Sequence, residues 1–483
     1  MPTWIFRLGA IIVLLGLTLS QVQPSVAQPI RNVSALRAKA LAQGSVRVLV
    51  GVRAAFTPEG KLSIRAAQAQ RTEIAQAQNA LLKQMAAQSV RVLHQYDFIP
   101  YLALDVDAVA LDALATAANV TSIEEDKMSK PSLAESTVLI GATAAWASGY
   151  AGAGQTVAIL DTGVDKTHPF LSGKVVSEAC YSTTYAPSGS VSFCPGGASS
   201  STATGSGVNC SVAISGCSHG THVAGIAAGR DNGSIGYSGV ARDANIIAIQ
   251  VFSRIDNGFY CFPYSPPCIV SWDSDQISAL GRVYALNGTY NIAAANLSLG
   301  GSTHYSTYCD SANLTYKAAI DNLRSVGIAT VIASGNESNE SVATGISEPA
   351  CISTAVSVGS TKDGSSGATP VDTVSSFSNS ASILKLLAPG EWILSSVPGG
   401  GTATWRGTSM ATPHVVGAWA VLKSRVPSAT VDQVLSALTT TGVSVTDSRN
   451  GITKPRIRLD AALNALAPPS GGSSTIYFPL IKK

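Results

Sequence analysis

From residue 138 to 465 the chain alternates short unbroken runs of Val, Ile, Ala and Leu with longer segments of helical character. The runs at 156–160, 245–251, 293–299, 328–333 and 355–358 lack the in-and-out alternation of a half-solvated sheet. Continuous apolar runs between helices indicate parallel strands covered on both faces. The pattern predicts an α/β domain over residues 136–467, with a parallel sheet as the middle of three layers. Such sheets place functional groups beyond the carboxyl ends of their strands. Asp161 directly follows one run and Asn336 follows another.

Residues 28–135 have a different texture. Residues 46–52 read as a strand, and 63–87, rich in Ala, Gln, Leu and Arg, as a helix. Residues 90–107 hold two strand-like runs broken near Ile99-Pro100; 108–118 read as a helix and 120–124 as a last strand. The order β-α-β-β-α-β is a split βαβ pattern, a small α+β domain. Glu124-Glu125-Asp126-Lys127-Met128-Ser129-Lys130-Pro131 is polar, ends in Pro and reads as a linker.

The two ends differ from the body of the chain. Arg7, the apolar run 8–19 and Ser25-Val26-Ala27 together predict a secretory signal peptide over 1–27. The run is too short to span a bilayer comfortably. Residues 468–474 form a Pro/Gly/Ser tether, and 475–483 read as an added edge strand, a sorting tail or a loosely packed end.

Composition narrows the class. Hydrophobic residues make up 46% and charged residues only 13%. The polar surface must therefore come from Ser, Thr, Asn and Gly, which suits a secreted, extracellular protein. Net charge is +3 with no dense Lys/Arg run, so nucleic acid is not an expected partner, nor is a membrane after signal removal. Eight cysteines lie between Cys180 and Cys351. An even number in an exported chain predicts disulfides. Pairing of neighbours (180–194, 210–217, 261–268, 309–351) is the simplest of many connectivities. No CxxC pair is present and the intervals are irregular, which argues against zinc.

Three motifs carry the chemistry. Ala158-Ile159-Leu160-Asp161-Thr162-Gly163 supplies an acid, Ser218-His219-Gly220-Thr221-His222-Val223-Ala224-Gly225 an imidazole, and Gly407-Thr408-Ser409-Met410-Ala411-Thr412-Pro413 a hydroxyl. A serine hydroxyl needs a base within reach, and the base needs a carboxylate to hold its tautomer. The order acid, base, nucleophile is that of subtilisin rather than of chymotrypsin or the α/β-hydrolases. Ser409 sits in G-T-S-M-A rather than G-x-S-x-G, which disfavours a lipase or esterase. Over roughly 138–465 the chain resembles the subtilisin-like serine proteases.

That resemblance implies a three-layer subtilisin-like fold with Asp161, His219 and Ser409 as catalytic residues. It makes Asn336, in Ala333-Ser334-Gly335-Asn336-Glu337, the side-chain oxyanion donor. Asn296-Leu297-Ser298-Leu299-Gly300-Gly301 resembles the strand lining the substrate channel, with Ser298, Leu299 and Gly300 binding an extended peptide. The expected activity is broad endoproteolysis of proteins and peptides by a monomer without organic cofactor. Residues 28–135 resemble the family's inhibitory propeptide, an intramolecular folding aid and inhibitor, removed by a cut within about 127–137. A dedicated maturation protease and a catalytically silent binding protein on the same fold are the alternatives.

Other polar residues read as structural. His222 follows His219 at H-x-x-H, but a zincin needs H-E-x-x-H and Gly220 stands where the glutamate would be. Asp165 and His168 lie in a short post-strand loop. Residues 231–236 look like the family's calcium loop, yet Phe170 stands where calcium-binding members place an aspartate after His-Pro. A hard cation wants several oxygen ligands, so a structural calcium stays open and no metal is assigned. Glu337 and Glu340 either favour basic side chains or face water. The Cys261–Cys268 insertion before Trp272 is expected to reshape a subsite wall.

Overall fold

The computed structural model describes residues 33–466, apart from 58, 60–61, 98, 126–131, 234, 262–264, 340–342 and 365–369. The expected signal segment, the C-terminal tail and Glu340 lie outside the described residues. The chain divides into two compact units, Met1–Ser129 and Lys130–Lys483.

In the first unit, β1 (Val46–Val52), β2 (Val90–Gln95), β3 (Tyr101–Val106) and β4 (Val120–Glu125) form an antiparallel sheet in the order β2-β3-β1-β4. Along β1, Val46, Val48 and Val50 are buried while Arg47 is exposed, the two-residue period of a sheet with one covered face. Helices α1 (Val33–Gln43), α2 (Ile64–Gln84) and α3 (Ala108–Thr116) accompany it. Ser63 caps α2 by accepting the Ala66 amide at 3.3 Å, and Asp107 caps α3 by accepting the Ala110 amide at 2.7 Å. Caps of this kind contribute about 1 kcal/mol each. The β-α-β-β-α-β order matches the expectation. Helix α1 in front of it was not expected; Leu36 and Ala40 alone are buried on it, too sparse a stripe to announce a helix.

The second unit is built on a ten-stranded sheet. Its strands are β5 (Thr156–Asp161), β6 (Val175–Tyr181), β7 (Ser200–Ser201), β8 (Asn245–Gln250), β9 (Ile292–Leu297), β10 (Ala329–Ala333), β11 (Val356–Lys362), β12 (Leu386–Glu391), β13 (Val443–Thr446) and β14 (Thr453–Arg456). The spatial order is β13-β14-β12-β11-β10-β9-β5-β8-β6-β7. Neighbours from β14 to β6 run parallel, and only the edge strands β13 and β7 are antiparallel. The chain builds outward from β5 to one side, then returns to its other side at β9. That reversal opens a crevice at the carboxyl ends, where Asp161 closes β5.

Side chains of the central strands alternate between two cores. Val157 and Ile159 face the core shared with α4 (His219–Ala228) and α7 (Thr408–Arg425). Ala158 and Leu160 face the core shared with α5 (Asp273–Ala285) and α6 (Leu314–Ser325). Both layers are apolar, so the strands read as unbroken hydrophobic runs. Each fully buried Val, Leu or Ile contributes about 1.5–3 kcal/mol. Helices α4 and α7 are buried on nearly all sides, which explains their weak amphipathic period. Pro413 is accommodated within the first turns of α7.

The disulfides join neighbours: Cys180–Cys194, Cys210–Cys217, Cys261–Cys268 and Cys309–Cys351. No described cysteine is free. No helix among the described residues is long and apolar enough to cross a membrane. Residues 132–139, partly within the window expected for the maturation cut, form a helix of the second unit, where buried Ser136 and His414 Nε2 share a 2.8 Å hydrogen bond.

Candidate active site

Asp161 is fully buried at the end of β5. Its Oδ1 accepts the Thr162 amide at 2.8 Å and meets His219 Nδ1 at 2.8 Å. His219 opens α4 and reaches the acid because Gly220 lets the helix close on the strand end. A Cβ at Gly220 would lie 2.3 Å from the Gly163 carbonyl oxygen and 3.1 Å from Asp161 Cβ. Thr162 Oγ1 accepts the Gly220 amide at 2.9 Å and pins the same junction. An Nδ1–H donated to a carboxylate leaves Nε2 as the basic nitrogen. Burial opposes the charged form of His219. Asp161's charge and hydrogen bond outweigh it and hold the pKa above the ordinary imidazole value.

Ser409 is the second residue of α7, so its own amide belongs to the unpaired first turn of a helix. Its hydroxyl donates to the Ser298 carbonyl at 3.2 Å, and Ser298 Oγ donates back to the Ser409 carbonyl at 2.8 Å. Asn296 Nδ2 donates to Ser298 Oγ at 3.0 Å. The end of β9 and Ser298 thus hold the turn at Ser409. His219, Ser409 and Asn336 line one cleft of about 480 Å³.

Asn336 follows β10 through Gly335, whose φ of +105° suits glycine and whose added Cβ would lie 2.2 Å from Ser347 Oγ. Asn336 Oδ1 accepts the Thr408 amide at 2.8 Å and the Thr408 hydroxyl at 3.1 Å. With the oxygen so committed, the NH2 end of the amide remains as a donor. Glu337 Oε2 accepts the Asn336 amide at 2.9 Å and Asn379 Nδ2 at 2.6 Å. Buried Asn379 also takes the Glu337 and Ser338 amides on its Oδ1, both at 3.0 Å. Glu337 therefore clamps its own loop.

The remaining candidates separate cleanly. His222 is buried, its Nε2 donates to the Ala403 carbonyl at 2.9 Å, and its ring stacks on Trp405 at 4.3 Å. Burial lowers its pKa to about 3, so it is a neutral packing group. His168 donates from Nε2 to the Gly401 carbonyl at 2.8 Å and accepts the Phe170 amide on Nδ1 at 3.0 Å. Asp165 accepts the Thr167 and Gly399 amides, both at 3.0 Å. Leu299 is half-buried and Gly300 exposed, beyond the last paired residue of β9.

The loop after Arg230 does not fit calcium. Asp231 spends its carboxylate on the backbone amides of Gly233, Ile235 and Gly236 at 3.0–3.1 Å. Phe170 is buried edge-on against Tyr237, with ring centroids 5.6 Å apart, so this neighbour is apolar where an oxygen ligand would be needed.

Residues 152–456 match the model of the subtilase family. The chain belongs to that family. An alkaline protease of Alkalihalobacillus alcalophilus is 32% identical over 370 residues, covering 76% of this chain and 80% of that protein. Subtilisin E of Bacillus subtilis (strain 168) is 30% identical over 361 residues, covering 74% and 79%. A solved structure of a protease from Pseudoalteromonas arctica PAMC 21717 superposes with a TM-score of 0.52 at 25% identity, covering 68% of this chain and 94% of that one. The fold is accordingly the subtilisin-like α/β fold, and the chain is a serine endopeptidase acting on protein substrates.

In this subtilase Asp161 meets His219, while His219, Ser409 and Asn336 line one cleft, with Ser298 hydrogen-bonded to Ser409. Sequence reasoning missed Thr408, Thr162 and Asn379, which orient those groups. Thr408 and Thr162 stood inside the quoted motifs, where their roles as donors and acceptors could have been asked about. Nothing local marks Asn379.

Proposed function

We propose that this subtilase is a secreted, broad-specificity endopeptidase, made as a zymogen, that cleaves peptide bonds through an acyl-enzyme on Ser409. The reading rests on the 2.8 Å contact of His219 Nδ1 with buried Asp161 Oδ1, in the cleft shared with Ser409 and Asn336. Ser409 Oγ attacks the peptide carbonyl carbon while His219 Nε2 takes its proton. To do so the hydroxyl turns from the Ser298 carbonyl toward the imidazole, a tightening expected on substrate binding. Asn336 Nδ2 and the Ser409 amide receive the oxyanion. The intermediate expels the amine, which takes the proton from His219. Water then attacks the ester by the same route in reverse and frees the acid. Asp161 holds the tautomer and stabilises the imidazolium throughout.

An extended substrate pairs with Ser298, Leu299 and Gly300 through its main chain. The parallel register of β9 ends at Leu297 opposite Ile332, which supports an open edge there. Main-chain pairing tolerates many side chains, hence broad specificity. Secretion is supported by the signal-like start and the four disulfides. Residues 28–135 act as the inhibitory propeptide, a role supported by their split βαβ topology. The maturation cut falls within about 127–137 and ahead of Ser136, a placement supported by the hydrogen bond of Ser136 to His414 in the peptidase core. The mature enzyme works as a monomer, since one chain supplies every group in the cleft.

The test is a digest of a denatured protein mixture by the purified secreted enzyme, with the new termini mapped by mass spectrometry. Many sites of varied sequence are expected. Cleavage at one or two sites would replace broad specificity with dedicated processing.

A further inference from the structure

We infer that the loop closed by Cys210–Cys217 is a specificity wall of the cleft, selecting peptides with a bulky apolar side chain on the residue that follows the scissile bond. The inference rests on the protease reading above and concerns the same cleft.

The loop is built to hold its shape. Both ends are tied to Thr162, beside Asp161: the Cys210 amide donates to the Thr162 carbonyl at 3.1 Å, and Thr162 Oγ1 donates to the Cys217 carbonyl at 3.3 Å. Between them run successive tight turns, Ile214 N to Ser211 O at 2.9 Å and Cys217 N to Ile214 O at 3.2 Å. Gly216 backs onto Ile269; a Cβ there would lie 2.6 Å from Ile269 Cδ1. Ile269 lies in the strand Cys268–Val270, which pairs with Ser253–Ile255 and is stapled by Cys261–Cys268. The insertion expected to reshape a subsite thus acts through this loop, as its buttress.

What the loop presents is apolar. Val212, 62% exposed, and half-buried Ile214 line the cleft, and Trp405 and Met410 line it with them. The stack on His222 holds the Trp405 ring in place. Among the described lining residues Arg406 carries the one permanent charge, and none of them is a carboxylate. An apolar substrate side chain loses unfavourable hydration here. A lysine or arginine side chain would be desolvated without a counter-charge.

The chemistry says which half of the substrate meets this wall. The leaving amine must receive its proton from His219, so the departing segment lies on the imidazole side of Ser409. The loop runs through Ser218 directly into His219, and the Trp405 ring lies nearly parallel to that imidazole with centroids 6.3 Å apart. The acyl half lies with Ser298, Leu299 and Gly300. The first residue of the departing segment therefore faces Val212, Ile214, Trp405 and Met410.

The test uses peptides with a constant acyl half and Leu, Phe, Ser or Lys after the scissile bond. The kcat/KM ratio of Leu to Lys is measured for the wild type, Val212→Leu and Val212→Ser/Ile214→Ser. A ratio within one preparation does not depend on the fraction folded. The wild type is expected to favour Leu and Phe over Lys by about tenfold or more, the double serine variant to lose most of that preference, and Val212→Leu to keep it. A flat wild-type profile, or an unchanged ratio in the double variant, overturns the wall. Organofluorophosphonate labelling separates the two levels. A labelled enzyme with a flat profile sinks the wall alone, whereas an enzyme that neither labels nor cleaves any peptide sinks the protease reading and this inference with it.

Discussion

Thr408 donates twice to Asn336 Oδ1, from its amide at 2.8 Å and its hydroxyl at 3.1 Å. The pair decides which end of the Asn336 amide is free to donate. Thr408→Val keeps the volume and the amide but removes the hydroxyl donor. The hydroxyl also accepts the Gly335 amide at 3.2 Å, so two hydrogen bonds of about 1 kcal/mol each are lost, which predicts a fall in kcat of about ten- to thirtyfold with little change in KM. Thr408→Ser should recover most of it. Steady-state kinetics of the three enzymes checks this; a loss confined to KM would contradict a role in orienting the oxyanion donor.

Asn336→Leu removes the donor itself. The expected result is a kcat lower by about a hundredfold or more with KM nearly unchanged, the magnitude this class of donor carries in subtilisin. An unchanged kcat in a correctly folded variant would remove Asn336 from the mechanism.

The pH profile follows from His219. It must be neutral to accept the Ser409 proton, so kcat/KM falls as pH drops through its pKa. Asp161 raises that pKa, so the acid limb lies above the ordinary imidazole value. Asp161→Asn removes the raising charge while burial remains, and the limb should shift to lower pH as kcat drops by about 10⁴-fold. A limb that stays in place or moves upward speaks against the pair.

Stability has a separate test. A Cβ at Gly229 would lie 2.0 Å from Phe170 Cε1, inside a fully packed cluster. Gly229→Ala should therefore destabilise by overpacking, about 1–3 kcal/mol, and Phe170→Ala by cavity formation, about 3–5 kcal/mol. The double variant should cost less than the sum, because the cavity accommodates the new methyl. Urea unfolding of the three variants measures this; simple additivity would show that the two residues do not share the space.

The central strands were legible because both faces are covered, which leaves unbroken apolar runs at 156–160 and 328–333. Asp161, His219 and Ser409 were legible as candidates because each sits in a compact motif at an element's end. What escaped the sequence depends on contacts across distance. Asn336 and Thr408 are 72 residues apart, and no local pattern pairs them. The run at 293–299 read as one strand, but β9 stops at Leu297 because Ser298 turns to hold Ser409. The helix at 132–139 has no announcement in the sequence, where only a cut within about 127–137 is expected, since its partner His414 lies far along the chain. Charge alone left Glu337 open between favouring basic side chains and facing water; its Oε2 bonds to Asn336, Asn379, His304 and Ser347, none of them near it in sequence except Asn336.

The most direct measurement is active-site labelling. The purified enzyme is treated with an organofluorophosphonate, and the modified residue is located by mass spectrometry. The account predicts near-stoichiometric modification of Ser409, none at that position in Ser409→Ala, and a much slower reaction in His219→Ala. A correctly folded wild type that forms no adduct on Ser409, or that reacts as fast without His219, would contradict it.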